Sequence, residues 1–121
     1  MTDGILDPEI ESNLPPELCR KLRLATEYID RNLRSRLTLA EIAAEVDLNP
    51  QYFARTFKKA VGQSPHQYIL NKRIAHAKEL LRTTQLSLVE IASQVGIATQ
   101  SHFTTVFHRA TGTTPREFRE K

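Results

Sequence analysis

The feature that most constrains this chain is an internal repeat. Residues 37–65 (LTLAEIAAEVDLNPQYFARTFKKAVGQSP) return as residues 86–115 (LSLVEIASQVGIATQSHFTTVFHRATGTTP). Between 37–46 and 86–95 six of ten positions are identical at an offset of 49, and between 53–65 and 103–115 five of thirteen match at an offset of 50. The copies therefore differ in length by one residue, between Val95 and Phe103. Two copies are too few for a solenoid. The pattern is a duplicated supersecondary unit.

Each copy predicts a helix, a tight turn and a second helix. Thr38 with Glu41, and Ser87 with Glu90, have the S/T-x-x-E spacing of a capping box. Leu37 and Leu86 precede them as hydrophobic staples to Ile42 and Ile91. Short helices follow with one apolar face: Leu39, Ile42, Ala43 and Val46, then Leu88, Ile91, Ala92 and Val95. The second copy turns at Gly96, where positive φ carries no steric cost. The first has Asp47 there, a residue that visits the left-handed region less easily. Asn49 with Pro50, and Thr99, then read as caps of the second helices. These place Phe53 and Phe57, Phe103 and Phe107 four residues apart on a buried face and end at Gly62 and Gly112.

Two helices joined by such a turn form the helix-turn-helix, whose second helix enters the DNA major groove. Any packed αα-hairpin shares that outline, so the exposed faces decide between readings. Copy one offers Gln51, Tyr52, Arg55, Lys58 and Lys59, and copy two Gln100, Ser101, His102, Thr105, His108 and Arg109. These types hydrogen-bond base edges or grip phosphates. A helical protein-interaction module that no longer reads DNA, the alternative, would show apolar residues on those faces.

The remaining segments also read as helices. Leu18, Leu22, Ala25, Ile29 and Leu33 make one stripe over about 17–33, with Arg20, Lys21, Arg23 and Arg31 on other sides. Ser64, Pro65 and Gln67 start a linker helix over about 65–82, carrying Leu70, Ile74, Ala77 and Leu81. At roughly 25 Å, a rigid helix of that kind suits two readers spaced about one turn of B-DNA, roughly 34 Å, apart. His76 and Lys72 are expected at its exposed surface. Thr114 with Glu117 opens a last short helix whose Phe118 covers the base of the second lobe, with Arg116 and Arg119 near phosphates. No alternating strand pattern appears. The expected class is all-α: two homeodomain-like three-helix lobes (about 17–63 and 86–121), about seven helices in all.

Charge supports a polyanionic partner. Residues 1–16, a polar lead-in or linker remnant, hold four acids and no Lys or Arg. The remainder keeps all 17 basic and 10 acidic side chains, hence +7, within a net +3. The single Cys19 excludes a disulfide framework and reads as a small packing residue. His66, His76, His102 and His108 show no metal-pair spacing and no HExxH, so no metal, cofactor or catalytic residue is expected. No apolar run reaches the ~18 residues of a membrane span, and the amino terminus does not resemble a secretory signal. The default setting is cytoplasmic and nucleoid-associated.

The double helix-turn-helix, the A-x-x-L-L of 77–81, the I-A-x-x-V-G of 91–96 and the F-x-x-x-F-x-x-x-x-G-x-x-P of 103–115 together resemble the DNA-binding domain of the AraC/XylS family of bacterial transcription regulators, over about residues 18–120. The resemblance implies sequence-specific binding of double-stranded DNA at an asymmetric operator. Recognition helices at about 50–60 and 100–110 would enter successive major-groove segments. Base-reading positions are then Gln51, Arg55, Gln100, Ser101, His102 and Thr105. Phosphate contacts fall to Thr38, Tyr52, Lys58, Lys59, Ser87, His108 and Arg109. Ala54, at a position often polar, is left a thymine methyl to touch, and Thr105 stands where relatives often carry Arg. RNA polymerase and a separate effector or dimerisation domain are the further partners such relatives imply. The acidic lead-in suggests a chain excised from a larger regulator.

Overall fold

The computed structural model describes residues 13–121, and every regular element among them is a helix. In order these are α1 (Pro16–Arg31), α2 (Leu39–Glu45), α3 (Pro50–Val61), α4 (Pro65–Thr83), α5 (Leu88–Gln94), α6 (Gln100–Thr111) and α7 (Pro115–Glu120). The lead-in expectation concerns residues 1–12 above all, which lie outside the described residues. Two compact units emerge: described residues up to Asn32 with 37–69, and 33–36 with 70–121.

In the first unit α1 begins with Pro16 at the first helical position, where its missing N–H costs nothing. Leu18, Leu22, Ala25 and Ile29 form the buried stripe, with Cys19 packed among them. The helix stops at Arg31, two residues early. Asn32 ends it twice over, its amide nitrogen donating to the Ile29 carbonyl and its side chain to the Tyr28 carbonyl at 2.7 Å. Leu33, expected to extend the stripe, is outside the helix, half-buried, and part of the second unit.

Aromatic stacks close both cores in the same way. Phe57 lies 5.4 Å from Phe53 and meets Tyr68 edge-on at 5.5 Å. Phe107 lies 5.7 Å from Phe103 and meets Phe118 edge-on at 5.5 Å. Tyr68 and Phe118 are themselves related by the repeat offset of 50. The first turn of α4 thus does in one unit what α7 does in the other, a correspondence that sequence reading recognised only for Phe118. Burial, with the Asp30 charge second, pushes the Tyr68 phenol above its ordinary range, so it packs as a neutral group.

α4 runs 19 residues, one past the end that the spacing suggested. Its Lys72 and His76 are half-buried rather than exposed, because apolar residues line more than one face of this helix. Ile74, Ala77 and Leu81 pack with Ile91, Ala92, Val95, Phe103, Val106 and Phe107 in the core of the second unit.

Candidate nucleic-acid interface

The second helix of each repeat is set by a cap, a turn and a buried aromatic face. After α2, the Asp47 amide donates to the Ala44 carbonyl and the Leu48 amide to the Ala43 carbonyl. After α5, Gly96 and Ile97 repeat this toward Ser93 and Ala92. This is the Schellman arrangement, which needs a left-handed residue just past the helix end. Gly96 takes φ 84° and Asp47 takes φ 58°, the one non-glycine with positive φ among the described residues. Both turns therefore have the same geometry despite the different residue.

The caps also form as the spacing required. The Asn49 side chain accepts from the Gln51 and Tyr52 amides at 2.9 and 3.1 Å, and the Thr99 hydroxyl accepts from the His102 amide at 3.1 Å. Capping boxes close at Thr38/Glu41, Ser87/Glu90 and Thr114/Glu117. With Phe53, Phe57 and Ala60 turned inward on α3, and Phe103, Val106 and Phe107 on α6, the opposite faces meet solvent. All thirteen expected contact residues are exposed. Neither helix carries an acidic side chain in its first turn, and each ends with two basic ones, Lys58 and Lys59 or His108 and Arg109.

Several side chains are brought together and others are diverted. Thr105, His108 and Arg109 share one open concavity of about 470 Å³ with Thr104 and Thr114. The Thr105 hydroxyl donates to the Ser101 carbonyl at 3.1 Å, so toward a base it offers only lone pairs. In the first unit the Arg55 guanidinium lies over the Tyr52 ring, 5.9 Å from its centroid. Ala54 lines an apolar pocket of about 280 Å³ with Leu37, Leu39, Ile42, Pro65 and Ile69.

At Thr38 and Ser87 the hydroxyl oxygen accepts from the backbone N–H of the box glutamate, and the cap residue's own backbone N–H donates to that glutamate's carboxylate. Hydrogen bonds from the Ser87 backbone and hydroxyl hold the Glu90 carboxyl below the usual carboxylate range. Arg116 is exposed, whereas Arg119, expected near phosphates, donates from Nε to the Leu81 carbonyl and from Nη2 to the Thr84 carbonyl. Its guanidinium ties α7 to the end of α4, because those terminal carbonyls lack helical partners.

Sequence reading missed Arg73. Its Nε donates to the Leu33 carbonyl at 3.1 Å and its Nη2 to the Ser35 carbonyl at 2.8 Å. Burial lowers the pKa of this guanidinium. The clamp holds 33–36 against the turn between α5 and α6, where a Cβ on Gly96 would sit 2.1 Å from the Leu33 carbonyl oxygen. The one cue in the sequence was that Gly96 has no glycine partner in the first copy. Among the described residues no group of three His, Cys, Asp or Glu is placed to hold a metal, and no helix is long and apolar enough to cross a membrane.

Comparison with known proteins agrees with this geometry. A family model described as a helix-turn-helix domain matches residues 42–121. The bifunctional transcriptional activator/DNA repair enzyme AdaA of Bacillus subtilis is 41% identical over 97 residues, covering 80% of this chain and 46% of that protein. The chain thus spans about half the length of that curated relative. The C-terminal domain of AraT, a response regulator from Geobacillus stearothermophilus, superposes with a TM-score of 0.81 at 34% identity, covering 88% of this chain and 86% of that one. A transcriptional regulator of the AraC-type DNA-binding-domain group from Chromobacterium violaceum superposes with a TM-score of 0.78 at 29% identity, covering 88% and 95%. With the matched domain, the repeated helix-turn-helix and these relatives in agreement, the chain belongs to the AraC/XylS family of helix-turn-helix regulators.

Proposed function

We propose that this chain is the sequence-specific DNA-reading part of a bacterial transcription regulator. α3 and α6 are its recognition helices, each for one major-groove segment of an asymmetric operator. The observation that carries this reading is that two helix-turn-helix units present polar and basic second helices. Of the large exposed hydrophobics among the described residues, Leu24, Leu39, Tyr52 and Val89, only Tyr52 lies on either of them. An interaction module would reverse that pattern.

In this reading Gln51, Arg55, Gln100, Ser101 and His102 contact base edges, with Thr105 a weaker acceptor beside them. Lys58, Lys59, His108 and Arg109 grip phosphates, helped by the cap hydroxyls of Thr38 and Ser87. The repeats set the working boundaries: a first lobe over about 17–63, a linker helix over 65–82 and a second lobe over 86–121. The basic charge of the region after residue 16 supports a polyanionic ligand. The chain acts without chemistry of its own. Cys19, the one thiol, is packed in the first core at 5% exposure. The repair activity named for AdaA is a property of that longer protein. An effector or dimerisation domain and RNA polymerase complete the proposed set of partners, and the nucleoid is the expected location.

Selection of duplexes from a randomised pool, followed by binding of the winners across a salt series, tests the reading. Two short enriched blocks about one helical turn apart, with a steep salt slope, are expected. Arg55→Ala should then cost about 1–3 kcal/mol at one base position, whereas Lys59→Ala should weaken binding to all sequences and lower the salt slope. Absence of any binding would return the interaction module to first place.

A further inference from the structure

Tyr52 is the only large apolar ring exposed on either recognition helix, at 40%. It sits three residues before Arg55, so the two side chains share one face of α3. The guanidinium is drawn over the ring at 5.9 Å from the centroid, within cation–π range. Nothing acidic on α3 competes for it, because the helix contains no Asp or Glu.

Tyr52 is itself well placed to act as a platform. Its amide donates to the Asn49 side chain at 3.1 Å, and its carbonyl accepts from the Thr56 hydroxyl at 2.8 Å. A tyrosine ring has two side-chain torsions and an arginine four, so the ring restricts the more mobile partner. A planar guanidinium stacks on a ring face while its outer N–H groups stay free. The repeat supplies an internal contrast. The residues at the Tyr52 and Arg55 positions in the second copy are His102 and Thr105, and both members of the pair are missing together.

We infer that Tyr52 is the positioning residue for Arg55. Its ring holds the guanidinium extended from α3 in the attitude that meets a base edge. Selectivity at that base pair therefore depends on the aromatic ring and not on the phenol hydroxyl. This rests on the proposal that Arg55 reads a base, and it replaces the phosphate contact assigned to Tyr52 from the sequence.

The test uses the full chain and the duplex that it enriches from a random pool, together with that duplex substituted at each position in turn. Four variants are compared with the parent: Arg55→Ala, Tyr52→Leu, Tyr52→Phe, and Tyr52→Leu with Arg55→Ala. Arg55→Ala should flatten preference at one base pair. Tyr52→Leu should reduce preference at the same base pair by about two- to fivefold, the scale of an exposed cation–π contact. Its affinity for random DNA and its salt slope should stay unchanged. Tyr52→Phe should restore the parent profile, and the double variant should be no less selective than Arg55→Ala alone.

Uniform weakening with a smaller salt slope in both Tyr52→Phe and Tyr52→Leu would overturn the inference in favour of a phosphate contact. Lost preference at a different base pair in Tyr52→Leu would overturn it in favour of direct contact by the ring. An unchanged profile in Tyr52→Leu would remove the role altogether. Failure of the underlying reading is distinct, because Arg55→Ala itself would then leave every base preference intact.

Discussion

Asp47 and Gly96 stand at the same place in two copies of one motif, hold the same left-handed turn, and are constrained by different neighbours. Around Asp47 the first unit leaves room, and the Lys21 ammonium reaches its carbonyl at 3.4 Å. Around Gly96 the second unit is closed, because Arg73 pins residues 33–36 onto the turn and brings the Leu33 carbonyl to where a side chain would start. One copy tolerates a side chain at the turn because only backbone conformation is demanded of it. The other demands conformation and empty space together. The reading helices differ in a matching sense: α3 carries a guanidinium supported by a ring, whereas α6 carries a threonine whose hydroxyl proton is already donated to its own helix.

Substitutions at the two turn residues should separate the copies most strongly. Gly96→Ala combines a left-handed alanine with a clash against backbone, so it should destabilise by about 3 kcal/mol or more. Asp47→Ala meets only the conformational cost, about 1 kcal/mol, and Asp47→Gly should fall within about 1 kcal/mol of neutral. Denaturant midpoints of the three variants measure this directly. Equal losses at the two positions would mean that the packed turn is no more crowded than the open one.

Next in size is the clamp itself. Arg73→Met strips two carbonyls of charged donors and should cost about 2 kcal/mol. Arg119→Met, whose bonds of 3.3 and 3.2 Å are longer, should cost about 1 kcal/mol. If Arg73→Met proved the milder change, residues 33–36 would be held by packing instead.

On the reading side, Thr105→Ala should cost less than about 1 kcal/mol on the selected duplex, against the larger loss expected for Arg55→Ala. Position-by-position binding measures both, and a Thr105→Ala loss matching that of Arg55→Ala would erase the contrast between lobes.

The smallest effect is on acid stability. Backbone and side-chain hydrogen bonds within their capping boxes hold Glu90 and Glu117, both in the second unit, below the ordinary glutamate value of 4.5. A folded-state value below the unfolded one gives stability that is present above pH 4.5 and lost as pH falls through the folded value. Glu90→Gln keeps an acceptor for the box and removes that proton linkage. Its melting temperature should therefore decline less steeply than the parent's between about pH 4.5 and pH 3. A decline as steep as the parent's would assign acid sensitivity to other groups.

Local and repeated features of this protein are legible in its amino-acid sequence alone. Capping boxes at Thr38, Ser87 and Thr114, the caps at Asn49 and Thr99, and the paired phenylalanines are short-range patterns whose hydrogen bonds or packing close within a few residues. The duplication then made each copy a check on the other, and the exposed polar faces of α3 and α6 followed from the same helical periodicity. What the sequence left open depends on partners far along the chain. Arg73 carries no local signal, because its acceptors, the Leu33 and Ser35 carbonyls, lie about 40 residues earlier. Arg119 reads as a phosphate contact until the Leu81 and Thr84 carbonyls at the end of α4 claim it. Periodicity says which face of a helix is wet or dry. Only the tertiary structure says which unsatisfied carbonyl, ring or cavity waits there, because those acceptors and voids are created by other helices.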